Sequence, residues 1–312
     1  MNREREGLLL CLLSAAGFAA MPIFARQAYA TGIELTPLLA LRFVMAAAML
    51  WALVLLRRRP LGSPRGLALG ALLGFAGYSV QAGLYFGAIQ RIDVSLASLL
   101  LYTYPSLVTL AAFALRRESP SRRKLGALAL ASGGVALVLA GGGPRAIDPL
   151  GAAMAIGCAG FYTVFILGSE RVSARTPAVP FTASVVTGSA VTFVIAAFFT
   201  GGVHASAEGV MWAGLIALAS TAIPIVLFVA GLARIGPSTA AIASAVEPAF
   251  TVALAWLVLG ETLGPLQLAG GALVLSAVVL LQLRPRATML RWRTSSRHAG
   301  WRARVARSGS PS

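Results

Sequence analysis

The chain has 312 residues, 58% hydrophobic and only 12% charged, with a mean hydropathy of +0.81 and a formal net charge of +16. A soluble globular chain carries about 25% charged residues, so this composition belongs to the membrane class. The excess of 26 basic over 10 acidic residues would suit nucleic acid in a soluble protein, but here the basic residues stand in short clusters between apolar runs, which argues against that partner.

Apolar runs of about 18 residues or more read as membrane-spanning helices. Ten such runs are predicted, at about 7–29, 36–56, 66–88, 94–115, 124–141, 149–168, 180–200, 209–232, 237–259 and 264–283. Arg-Arg-Arg-Pro, Gly-Gly-Gly-Pro-Arg, Thr-Gly-Gly and Gly-Glu-Thr-Leu-Gly-Pro punctuate them as loop signals. The first run is too long for the apolar core of a signal peptide and reads as a retained helix. Two cysteines, Cys11 and Cys158, fall inside apolar runs as packing residues; they cannot form a disulfide framework or a four-ligand zinc site.

Basic residues orient the helices. With the N-terminus inside, twenty-two arginines and lysines fall on the cytoplasmic side, three (Arg26, Arg91 and Arg145) on the other, and Arg42 lies within a helix. The positive-inside rule then puts both termini in the cytoplasm. The segment 284–312 alternates arginine with Trp292 and Trp301. It reads as a topology anchor, or as a segment attracted to anionic lipid of the bilayer.

Sliding the chain against itself by 143 positions aligns the halves almost without gaps. Ala16-Gly17-Phe18 falls on Ala159-Gly160-Phe161, Pro37 on Pro180, Gly66 on Gly209, Arg91-Ile92 on Arg234-Ile235, Ser95 on Ser238, Pro105 on Pro248 and Glu118 on Glu261. Each half holds five helices, an odd number, so the second half enters the membrane from the opposite face. The predicted organisation is a first five-helix repeat at 1–143, a second at 144–283 and a basic cytoplasmic tail at 284–312. Inverted repeats of this kind typify secondary transporters, whose substrate sites lie near the midplane at the repeat interface.

Three segments carry a family resemblance. Gly32-Ile-Glu-Leu-Thr-Pro-Leu-Leu-Ala-Leu-Arg42-Phe43, Ala97-Ser-Leu-Leu-Leu-Tyr-Thr-Tyr-Pro105 and Ala240 to Thr251 with Leu259-Gly-Glu261 resemble the second-helix entry, the fourth helix and the ninth helix of the EamA family, in the drug/metabolite transporter superfamily. The resemblance implies an all-α integral membrane protein of the plasma (bacterial inner) membrane that exports small metabolites such as amino acids. It also implies that helices 1, 3, 4, 6, 8 and 9 line a central cavity while 5 and 10 pack peripherally. One departure is Arg116-Arg117-Glu118, where the second half has Leu-Gly-Glu261.

Glu247 is the sole acid in the interior of a spanning run. A charge at the bilayer centre costs about 2.5–3.5 kcal/mol on insertion scales, so it reads as a functional carboxylate that binds a substrate ammonium or carries a coupling proton. The plainer reading is a neutral carboxyl bonded to another helix. Its repeat mate is Tyr104, and Pro248 and Pro105 follow the two, as hinges or packing kinks. Tyr78, Gln81 and Tyr85 recur at spacings of 3 and 4 and so share one helical face, a candidate cavity wall. Tyr102, Tyr162, Thr163, Ser220, Thr221 and the hinge candidate Pro224 are weaker wall candidates, with interhelical hydrogen bonding as their alternative. Arg42 either snorkels to the external interface or turns inward to meet a carboxylate, of the protein or of a zwitterionic substrate. Glu261, Thr262, Gly264 and Pro265 read as the capped turn into the tenth helix. Gly133-Gly134 and Gly270-Gly271 allow close helix approach, within the chain or across a homodimer.

No phosphate-binding loop, no His-Glu-x-x-His and no paired intramembrane aspartates occur, so the sequence predicts neither an enzyme nor a metal or cofactor site. A passive pore is disfavoured because no ring of like groups lines one path. The competing functional reading is multidrug efflux of hydrophobic cations.

Overall fold

The computed structural model describes residues 3–58, 60–116, 120–141, 147–173 and 176–282. The tail and its expected contact with anionic lipid, together with Glu118 and Arg145, lie outside them. Every regular element among the described residues is helical. Nine helices are long and apolar enough to cross a membrane: α1 (Arg3–Ala30), α2 (Leu35–Leu56), α3 (Pro64–Arg91), α4 (Val94–Ala114), α5 (Arg122–Ala140), α6 (Pro149–Glu170), α7 (Ala178–Phe199), α8 (Ala207–Gly236) and α9 (Ile242–Leu259). A tenth, shorter apolar helix, α10 (Pro265–Leu281), completes the set. In hydrocarbon a backbone amide has no water to turn to, and the helix satisfies it within its own segment.

The two halves interlock through matching contacts. α1 packs on α8 and α6 on α3, while α2 packs on α7 and α5 on α10. At the first two contacts a glycine admits the partner backbone. A Cβ on Gly7 would sit 2.5 Å from Ile235 Cγ2, and one on Gly151 would sit 2.8 Å from Ile92 Cγ2. Ile92 and Ile235 are repeat mates. Each contact also carries an ion pair between half-exposed side chains, Arg234 Nε with Glu6 Oε2 at 3.9 Å and Arg91 Nη1 with Asp148 Oδ2 at 3.3 Å. Asp148 further accepts from the Leu150 and Gly151 amides at the start of α6, and these amides, with Arg91, hold its carboxyl below the usual carboxylate range. Start signals repeat too: Ser63 accepts from the Gly66 amide and Ser206 from the Gly209 amide, capping α3 and α8.

Interruptions of the helices recur in both halves. α3 contains a π-helical turn at Gly74–Tyr78 and α8 one at Leu218–Ala222, one residue off the repeat offset, and α9 has a further one at Ala255–Leu259. α4 breaks between Leu101 and Tyr104, and the ninth helix breaks between Ser244 and Glu247. Pro105 and Pro248 stand in the first turn of the segments that resume, where a missing amide hydrogen costs little. The donors they lack leave the Leu101 and Ser244 carbonyls without their usual partners four residues on.

Two expectations change on folding. Glu261 does cap orphan amides, but those of α4: its carboxylate accepts from Val94 N at 2.8 Å, Ser95 N at 2.9 Å and Ser95 Oγ at 2.8 Å. The turn into α10 is closed instead by Gln267, whose side-chain oxygen accepts from Gly264 N at 2.9 Å. Gly134 and Gly270 meet each other within the chain, a Cβ on Gly134 lying 2.7 Å from the Gly270 carbonyl. They form the α5–α10 crossing and are not free for a second copy, whereas Gly133 faces open space.

The tightest approach is between α3 and α7, where a Cβ on Gly188 would lie 1.9 Å from the Ala71 carbonyl oxygen. Backbone cannot yield there as a flexible side chain would, so Gly188→Ala is expected to destabilise by about 1–3 kcal/mol, the usual cost of overpacking. Gly133→Ala has no neighbour to displace and should be neutral or mildly stabilising. Thermal unfolding of the two purified variants in one detergent checks the contrast.

Candidate functional site

A cavity of about 320 Å³ lies between α1, α3, α4, α6, α7, α8 and α9. Its one acidic lining residue is Glu247. The break before Glu247 brings its side chain to the start of a helical segment, and the matching break brings in Tyr104. Tyr102 lines the cavity with Glu247 and stands edge-on to Tyr104, with ring centroids 5.8 Å apart. Tyr104 is in turn edge-on to Tyr162 at 4.7 Å, and Tyr162 stacks on Phe165 at 6.2 Å. The carboxyl therefore faces a chain of phenol rings, whose π faces attract cations. Thr251, one turn after Glu247, and Thr221 add hydroxyls to the wall.

The α3 stripe lies on the opposite wall. Tyr78, Gln81 and Tyr85 all line the cavity. Gln81 donates to Cys158 Sγ at 3.3 Å, and Tyr85 shares a hydrogen bond with Ser98 at 2.9 Å. Gln81 and Tyr85 thus have partners within the protein, which a low-dielectric site requires.

Of the sequence candidates, eight line the cavity: Glu247, Tyr104, Tyr78, Gln81, Tyr85, Tyr102, Tyr162 and Thr221. Thr163 does not; its hydroxyl donates to the Ala159 carbonyl at 2.9 Å, within its own helix. Ser220 is fully buried beside Thr221 but turned from the cavity. Pro224 accepts a hydrogen bond from Ser14 at 2.8 Å and abuts Gly17, so it belongs to the α1–α8 contact. Arg42 neither snorkels nor reaches the wall. It is 1% exposed, its guanidinium carbon 4.7 and 4.9 Å from the ring centres of Phe43 and Phe86, and Tyr78 packs edge-on to Phe43 at 6.0 Å. Tyr78 thus separates Arg42 from the cavity.

Sequence reading missed Phe18, Met21 and Ile225, and above all the contribution of α7, which supplies Phe181, Thr182, Val185 and Val186. The resemblance implies a cavity without the seventh helix. In an apolar chain a cavity-facing Val or Phe carries the same signature as a lipid-facing one, so composition could not flag them. Thr251 was accessible in principle, four residues after Glu247 and so on its face.

This is the architecture of a multi-pass membrane transporter, ten helices in two inverted five-helix repeats around a shared cavity. The model of the EamA-like transporter family matches residues 5–140 and again 149–283, and the chain belongs to that family. It is 25% identical over 287 residues, 86% of this chain and 90% of the other, to the uncharacterized transporter YcbK of Bacillus subtilis (strain 168). A solved crystal structure superposes with a TM-score of 0.62 at 20% identity, covering 88% of this chain and 96% of that one, a likeness of fold.

Lining and buried neighbours separate cleanly at α8. With Cys11 and Cys158 both fully buried, single-cysteine reporters have little background. Thr221→Cys is expected to react with a small water-soluble thiol reagent at least an order of magnitude faster than Ser220→Cys; equal rates would mean that the wall is drawn wrongly.

Proposed function

We propose that the protein is a secondary transporter that exports small amine-bearing metabolites, amino acids among them, across the plasma membrane with a proton as the coupling ion. The observation that carries this reading is a lone carboxyl, Glu247, lining a cavity of about 320 Å³ together with Tyr102, Tyr104 and Tyr162. That volume falls in the range of small-molecule sites, about 300–1,000 Å³. A carboxylate supplies the counter-charge for an ammonium, and the phenol rings supply cation–π attraction. The same carboxyl can hold a proton when the amine is absent, so that proton and substrate exchange at one site.

Direction is supported by the side on which the cavity is built. The α7 residues lie in the half of α7 nearest Ala178, at the end of the bundle that carries the arginine clusters. By the positive-inside rule that end and both termini are cytoplasmic, so the α7 wall faces a substrate drawn from within, while Tyr85 and Ser98 reach toward the opposite end. The aromatic lining also favours a second reading, efflux of larger hydrophobic cations, which needs the same Glu247 but no proton-for-amine exchange with a zwitterion.

Proteoliposome transport with and without a pH gradient tests this directly. Glu247→Gln is expected to abolish the effect of the gradient and to weaken amine binding roughly ten- to a hundredfold, the worth of a charge-assisted hydrogen bond of about 1.5–3 kcal/mol. Retention of gradient-driven transport by Glu247→Gln would remove the proton role. Competition by tetraalkylammonium dyes but not by amino acids would favour the second reading.

A further inference from the structure

The repeat and the cavity disagree at one pair of helices. At the offset of 143, the α7 residues Phe181, Thr182, Val185 and Val186 correspond to Leu38, Leu39, Arg42 and Phe43 of α2. All four in α7 line the cavity and none of the four in α2 does. Leu38, Leu39 and Phe43 are 0% exposed and Arg42 is 1%. Elsewhere the halves contribute in matching fashion, as with Tyr78 and Thr221 or Tyr104 and Glu247. Arg42 and Val185 each stand seven residues into their helix, from opposite ends of the bundle.

Two halves of one fold in opposite orientation can exchange conformations. When the first half takes the arrangement of the second and the reverse, the cavity opens at the other end around the same midplane. The wall then passes from α7 to its mate in α2. We infer that Leu39 and Arg42 line the cavity in that oppositely open state, where the Arg42 guanidinium receives an oxyanion of the transported molecule, a carboxylate in the case of an amino acid.

Three observations support a ligand role over packing. First, Arg42 Nε has no hydrogen-bond partner, and no carboxylate pairs with this guanidinium among the described residues. A buried unpaired cation is costly, and a guanidinium is the side chain best shaped to grip a carboxylate. Second, the other half builds the same crossing with Val185 at this position, so the fold does not need a cation there. Third, Tyr78 lines the cavity and packs edge-on against Phe43, the ring beneath the Arg42 guanidinium, so little protein separates Arg42 from the ligand space. The inference rests on the transport reading but not on the amine role of Glu247.

The test uses the full chain in liposomes and two thiol reagents of equal reactive group, one a sulfonate anion and one a trimethylammonium cation. Thr182→Cys is expected to react from the arginine-rich end and Leu39→Cys only from the opposite end. The anion-to-cation rate ratio should be higher at Leu39→Cys than at Thr182→Cys, a comparison made with Arg42 intact. Adding Arg42→Gln should lower the ratio at Leu39→Cys about tenfold, the scale of a unit charge some 6 Å away in a partly wet cavity. Arg42→Lys should keep the ratio, and the Thr182→Cys rate in the same background reports that the fold is intact. A Leu39→Cys thiol that reacts from neither end overturns the exchange, and a ratio no higher than at Thr182→Cys, or unmoved by Arg42→Gln, overturns the role of Arg42. Glu247→Gln leaves the end-specific accessibility of both thiols in place, so the amine reading and this one fail separately.

Discussion

A carboxylate inside a bilayer persists only where protein supplies what water would have supplied. Glu247 meets this constraint among the side chains of Tyr102, Tyr104 and Tyr162, at a helix start that carries Pro248. The break that hosts it is matched residue for residue by the break at Tyr102 and Thr103, so the irregular backbone of both halves converges on one protein-lined cavity. Backbone of that kind is tolerated at membrane depth only in such a place. Cavity, break and carboxyl are therefore one feature and not three.

Around that feature the inverted halves act as a frame. Each ties its first helix to the other half's third through a glycine contact and an end-of-helix ion pair, at opposite faces of the membrane. α5 and α10 lock together through Gly134 and Gly270 away from the cavity. The halves depart from symmetry at α2 and α7, of which only α7 lines the cavity. Glu261 adds a further tie between the halves, since a residue of the second half caps α4 of the first.

Much of this was legible in the residues. Ten spans, the inverted repeat and the Glu-Pro and Tyr-Pro pair follow from hydropathy and a constant offset, because a bilayer imposes length and apolarity on every span. Polar residues stood out for the same reason, and Tyr78, Gln81, Tyr85 and Glu247 all reach the cavity. The apolar lining from α7 did not stand out, since lipid and cavity select alike for Val and Phe. Nor could the partner of a buried polar group be read from position: Arg42 met rings instead of water, and the Glu261 carboxylate met a helix distant in sequence. Thr163 shows the converse, as a hydroxyl in a spanning helix can bond its own backbone as readily as it lines a path, and Ser220 is buried away from the path.

The central claim is that Glu247 is the cation-recognising group of a substrate cavity. Chemical modification by a hydrophobic carbodiimide, with the labelled peptide located by mass spectrometry, tests it most directly. The account predicts that the label falls on Glu247 and that the compounds which the protein transports slow its incorporation. Label that avoids Glu247, or labelling of Glu247 that no transported compound slows, would contradict it.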